Sequence, residues 1–182
     1  MDNENFEKIQ NENIKIFREL VGKYIPYGIE DKLIENGFFI KPASIKYHGN
    51  YSGALFRHSC EVARELADLT KHLSLSWNNF GSPYIVGMFH DLCKTDDYIW
   101  NEEIGNWDYN KNCLLTGHGD KSVILTQKYF SLTEEEMLCI RWHMGAFDDK
   151  ENWNKYGAAI EKYPNVLYTH TADMIAARIT GV

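Results

Sequence analysis

The sequence predicts an all-α fold in a single domain, and three observations predict it. Apolar residues recur every three or four positions through most of the 182 residues, the spacing of one helix face. Proline and glycine interrupt that rhythm at intervals suited to helices of ordinary length. One stretch alone departs from it, near residues 96–112, where aromatics surround "EEIGN" and an irregular or hairpin excursion is expected. No repeat, low-complexity tract or linker divides the chain, and 44% apolar residues suffice for one real core.

Taken in order, Phe6 to Lys23 is an amphipathic helix, and Ile29 to Glu35 is a short one closed by Gly37. "FFIKPASIKYHGNYSG" is a long loop marked by Pro42, Gly49 and Gly53. Leu55 to Leu73 is the clearest helix, with an apolar stripe of Leu55, Val62, Leu66, Leu69 and Leu73. The next helix has Ser82 as its N-cap and Pro83 in its first turn, and it runs into "HDLCK". Gly117 to Phe130 is helical. "SLTEEEMLCIRWHMG" opens with a capping box of Thr133 and Glu136 and runs to Gly145. The last helix starts near Pro164 and places Val166, His170, Asp173 and Ala177 on one face.

Charge and cysteine usage narrow the function classes. A net charge of −7 argues against a dedicated binder of long nucleic acid, which carries a basic face. It leaves room for a small basic pocket around one phosphorylated ligand. The polar start, "MDNENFEKIQNENIKIF", has no apolar core of a signal peptide, and no run approaches the ~18 apolar residues of a membrane span. Cys60, Cys93, Cys113 and Cys139 show no CxxC spacing, so buried free thiols and a cytoplasmic location are expected.

The chemistry lies in the ionisable residues on apolar faces. His58 falls on the buried stripe of its helix, His90 and Asp91 end the run "VGMF", and Asp173 sits in mid-helix between apolar neighbours. Each alone has a bland explanation, a core or capping histidine or a surface turn. Together they are costly to bury without a common partner. A divalent cation would be such a partner, since imidazole nitrogens and carboxylate oxygens ligate first-row metals.

In that order and on those helices, "LFRHSCEVAREL", "GMFHDLCK" and "HTADMIA" resemble the HD superfamily of metal-dependent phosphohydrolases. The resemblance covers Tyr47 to Ile179 and implies an HD-type helical bundle: N-terminal helices over 1–40 and a metal-binding core over 47–180. It implies His58, His90, Asp91 and Asp173 as ligands, with His118 in "GHGDKS" and His143 in "IRWHMG" where two-metal members place extra histidines. It implies one or two divalent ions, with Mn, Fe, Co, Ni or Zn favoured over Mg alone. A metal-activated hydroxide would then attack phosphorus. Asp91 could bridge the ions, and Lys94 would stabilise charge on the phosphoryl oxygens.

His48 and Arg57 are weaker candidates for phosphate contact, and His170, one turn before Asp173, is expected to support a ligand rather than be one. The segment "KYHGNYSGALFRH" is similar to one in bacterial exoribonucleases of the superfamily. Here, however, Arg57 stands where an acid is common, and no room remains for a nucleic-acid-binding module. The expected activity is therefore hydrolysis of a nucleotide or short oligonucleotide phosphoester. A di-iron oxygenase on the same fold and an inactive nucleotide-binding regulator are the alternatives. Membranes and long nucleic acid are not expected partners; a homodimer is compatible with the 14% aromatic content.

Overall fold

Helical periodicity becomes helix along most of the chain. The computed structural model describes residues 3–46, 49–115 and 117–181, and it begins with α1 (Asn3–Leu20) and α2 (Ile29–Glu35). α1 starts and stops three residues before the expected Phe6 and Lys23, because the chain tightens into a 3₁₀ turn over Gly22–Tyr24, where glycine weakens helix continuation. Ile14 and Phe17 of α1 and Leu33 of α2 are buried.

The long loop that follows has no regular element among its described residues, yet it is firmly held. Phe38 and Phe39 are fully buried, and Asn13 Nδ2 donates to the Phe39 carbonyl at 2.7 Å. The chain turns into the next helix at Gly53. Its φ of +85° disfavours any side chain, and a Cβ there would lie 2.7 Å from Ile9.

The centre of the molecule is the pair α3 (Ala54–Leu73) and α4 (Ser82–Phe89). Leu55, Val62 and Leu66 are buried, as the stripe predicts. Leu73 is 51% exposed, because α4, only eight residues long, does not reach the end of α3. The two helices cross at Gly87, where a Cβ would lie 2.4 Å from the Ala63 backbone. Ser82 is not the N-cap. Gly81 holds that position, and Ser82 Oγ donates to Glu136 Oε1 at 2.7 Å.

Beyond α4 come the single turn α5 (Lys94–Asp97) and an antiparallel hairpin, β1 (Tyr98–Asn101) with β2 (Asn106–Tyr109), in the register Tyr98↔Tyr109 and Trp100↔Trp107. The hairpin packs on α1: Phe6 meets Trp100 and Trp107 edge-on, at 5.3 and 6.0 Å between ring centroids. Trp107 also donates its indole N–H to Ser52 Oγ at 3.1 Å.

The second half of the bundle is α6 (His118–Gln127), α7 (Glu134–Arg141), α8 (Trp153–Lys162) and α9 (Asn165–Ile175). α6 ends before the expected Phe130. α7 ends at Arg141, four residues short of Gly145, so that His143 lies in the turn beyond it. The capping box forms as expected, and its Glu136 is also the acceptor for Ser82. Its neighbour Glu135, likewise buried, accepts from the Asn78 N–H at 2.8 Å and from Asn165 Nδ2 at 2.7 Å, tying α7 to the chain before α4 and to α9. α8 has no counterpart in the sequence reading. Gly157 weakens it, although Tyr156, Ala159 and Ile160 give it an apolar face against the core. After Ile175 the last helix widens into π-type turns over Ala176–Thr180.

All four cysteines are free, with Cys60, Cys93 and Cys139 buried. Among the described residues no helix is long and apolar enough to cross a membrane. This all-α architecture is compatible with an HD-type fold.

Candidate metal centre

Five elements deliver the six residues named as ligands to one place. His58 comes from the middle of α3, and His90 and Asp91 from the turn after α4. His118 opens α6, His143 follows α7, and Asp173 lies on α9. Two close helix crossings create the convergence. Gly87 lets α4 approach α3, which sets the His58 and His90 rings 5.2 Å apart. Gly119, where a Cβ would lie 2.1 Å from the Arg141 carbonyl oxygen, lets α6 approach α7 and brings the His118 ring to 5.2 Å from His143. His90 and His143 join the two halves at 4.9 Å.

The polar atoms face one another. His58 Nε2 is 3.1 Å from Asp173 Oδ1 and 3.3 Å from His90 Nε2. Asp91 divides its oxygens between two groups. Oδ2 stands 4.0 Å from His58 Nε2 and 3.8 Å from His90 Nε2. Oδ1 contacts His118 Nε2 and stands 3.5 Å from His143 Nε2. His90 donates from Nδ1 to the Gly87 carbonyl at 2.8 Å, and His143 does the same to Ile140 at 2.7 Å. Each bond fixes the tautomer in which Nε2 carries a lone pair toward the cluster. His143 Nε2 is nevertheless buried and without a hydrogen-bond partner, since 3.5 Å to Asp91 is too long. A buried nitrogen of this kind is costly unless something occupies the space before it.

Burial sets the charge states. It pushes His90 down to about 4, with Asp91 and Asp173 offsetting only part of the effect, so this imidazole is neutral at pH 7. Burial also lowers His118, against the pull of Asp91. Burial alone would raise the Asp91 carboxyl, but His118 and His90 outweigh it and hold it well below the usual carboxylate range. Burial would likewise raise Asp173, but the bond to His58 together with the charges of His90, His143 and His58 outweighs it and lowers this carboxyl. Burial would lower His143 as well, but Asp91 and Asp173 outweigh it and raise this imidazole above its ordinary value. Metal ligation requires neutral imidazoles around ionised carboxylates, a state that His90 and His118 already favour. Three overlapping groups meet that need: His58 with His90 and Asp91, His90 with His143 and Asp173, and Asp91 with Cys93 and His118.

The other candidates fall at different distances from this cluster. Lys94 is half-buried, with Nζ 5.8 Å from the Tyr98 ring centroid and no ion pair among the described residues. Burial would lower it, but Asp91 and its other neighbours outweigh that and keep it a cation. Arg57 is exposed, and one position from the buried His58 puts it on an adjacent face of α3. His48 lies outside the described residues. His170 donates from Nδ1 to the His143 carbonyl at 2.7 Å, and its ring fills the space beside Gly145, so it braces the turn that carries His143.

Two residues with roles here carry no such signal in the sequence. Cys93 Sγ lies 3.2 Å from His118 Nδ1, and burial keeps it a neutral thiol. Lys121, only 2% exposed, sits between Asp96 at 2.7 Å and Asp97 at 2.6 Å and pins the root of the hairpin to α6. Its spacing from His118, three residues on a helix, was the available clue; its partners, more than twenty residues away, were not. Asp120, in the first turn of α6, where its charge suits the helix N-terminus, also pairs with Arg141 across to α7. In comparisons with family models, curated proteins and solved structures the chain gave no match.

Proposed function

We propose that the protein is a metal-dependent phosphohydrolase acting on a nucleotide-sized phosphoester. The observation that carries this reading is the buried, unpartnered Nε2 of His143, facing a carboxylate whose two oxygens look toward four imidazoles. Hydrogen-bonded core histidines would have no reason to converge in this way. His58, His90, Asp91 and Asp173 would hold one divalent ion. Asp91, His118 and His143 would hold a second, with Mn, Fe, Co, Ni or Zn suited to so many nitrogens. Such an ion supplies Lewis acidity and a nucleophile drawn from water at neutral pH.

The protein's own groups do the rest. Asp91 would be shared by both, since Oδ2 faces His58 and His90 while Oδ1 faces His118 and His143. His90 and His143 are held rigid by their carbonyl bonds, so little reorganisation is needed. Lys94, a cation with no ion-pair partner among the described residues, is available to the phosphoryl oxygens as charge builds on them. The test is metal analysis of the purified protein together with hydrolysis of a panel of nucleoside mono-, di- and triphosphates. Bound transition metal and release of phosphate are expected, both lost in Asp91→Ala. Full metal retention by that variant would remove the proposal.

A further inference from the structure

A cavity of about 400 Å³ opens directly beside His118, between the start of α6 and the turns that follow α7. We infer that it receives the leaving group of the substrate, and that this leaving group is a nucleoside carrying no further phosphate. The inference rests on the proposed phosphohydrolase reading and narrows it from nucleotides and short oligonucleotides to nucleoside monophosphates.

Access is the first argument. The His118 side chain is 25% exposed, against 7% for His58, 1% for His143 and 0% for His90, so the cluster opens on the side where this cavity lies. The volume is within the range of small-molecule sites and suits a base with its sugar.

Charge is the second argument. The wall carries Asp120, Asp148 and Asp149 against the single cation Arg141. That guanidinium is already engaged by Asp120 and by Asp148, the latter at 2.7 Å, and lies 4.1 Å from the Trp142 ring centroid. Asp149 is exposed and has no cationic partner among the described residues. A second phosphate placed here would meet uncompensated negative charge, whereas sugar hydroxyls would find carboxylate acceptors. Phe147, 62% exposed at the rim, offers a flat apolar face to a base. The cations Lys94, over Tyr98, and Lys46, over Tyr109, lie instead along the hairpin. Lys94, the one of these two that interacts with Asp91, is therefore set apart from the acidic cavity wall, and a substrate with one charged end and one uncharged end matches both.

The reaction is balanced by water alone. A water oxygen bonds to phosphorus, the bond from phosphorus to the sugar oxygen breaks, and that oxygen takes a proton from the water. Orthophosphate and a neutral nucleoside leave.

The probes are adenosine, adenosine monophosphate and adenosine 3′,5′-bisphosphate. Adenosine binding, followed by calorimetry or NMR on the protein without turnover, reads the cavity apart from any metal chemistry. Asp149→Asn and Phe147→Ala, both at exposed positions, should weaken adenosine binding and raise KM for the monophosphate at least fivefold with little change in kcat. The bisphosphate should be cleaved at least tenfold less efficiently than the monophosphate, and Asp149→Asn should narrow that gap. Equal cleavage of the two substrates, or adenosine binding and KM unmoved by both variants, would overturn the assignment while leaving the hydrolase intact. Absence of hydrolysis of every phosphoester in the metal-loaded protein would instead defeat the hydrolase reading, and adenosine binding would then decide the cavity by itself.

Discussion

Asp91 shows how much one side chain can organise. Its Oδ2 faces His58 and His90, and its Oδ1 faces His118 and His143, so in the proposed reading one carboxylate would serve two metal positions. Replacing His118 and His143 together with Ala should lower bound metal from about two ions to about one while the fold survives. An unchanged ratio, read by elemental analysis, would mean a single ion and a different use for those histidines. Lys94→Ala should keep its metal and lose about 10²-fold in turnover, the scale of deleting one preorganised donor. An unchanged rate would show that this lysine serves only the Tyr98 face. His58, His90, Asp91 and Asp173 were legible as candidates because a histidine or aspartate on an apolar stripe is conspicuous, whereas His118 and His143 stood out only through the family resemblance. Lys121 was not legible, because a lysine four positions into a helix looks solvated until Asp96 and Asp97 fold back over it.

Among the elements, the crossing of α3 and α4 matters most to the site. A methyl group at Gly87 would collide with the Ala63 backbone, which no rotamer change can relieve. Gly87→Ala should therefore cost about 2 kcal/mol or more in a urea melt. It should also weaken metal uptake, since the same crossing sets His58 against His90. Retention of both stability and metal affinity would show that the helices can part without loss. α3 and the Thr133 capping box were readable because their signals are local: a stripe of apolar residues, and two side chains three positions apart. The true role of Ser82 was hidden because its partner, Glu136, is 54 residues away and supplied by another helix. α8 was hidden for a related reason: it relies on packing against α9 more than on its own propensity.

At the scale of the whole molecule, charge governs acid stability and bears on the size of the proposed substrate. Burial raises the Asp96 carboxyl, but Lys121 and the Leu114 N–H outweigh it and hold it below the usual carboxylate range. A depressed folded value stabilises the protein above the unfolded pKa of about 3.9, and that contribution disappears as pH falls through the lower folded value. Hydrogen exchange should show the hairpin loosening below about pH 4. Lys121→Met should cost about 3 kcal/mol near neutral pH and abolish or reverse that pH dependence, since it leaves two partly buried carboxylates without their cation and burial then pushes Asp96 upward. The same arithmetic of charge limits polymer binding. An enzyme that tracks a long strand needs a groove of cations, and its affinity falls steeply with salt as counterions are released. This chain has 19 lysines and arginines against 26 acids, and of its cations Arg18, Lys121, Arg141 and Lys162 are already paired with carboxylates. Lys94, which interacts with Asp91 of the His/Asp cluster, suits the few phosphates of the small molecule proposed as substrate. Long single-stranded RNA or DNA should therefore be degraded poorly at any salt concentration while mononucleotides are consumed. Rapid digestion of such polymers at low salt, collapsing as salt rises, would require a basic track that the described surface does not provide.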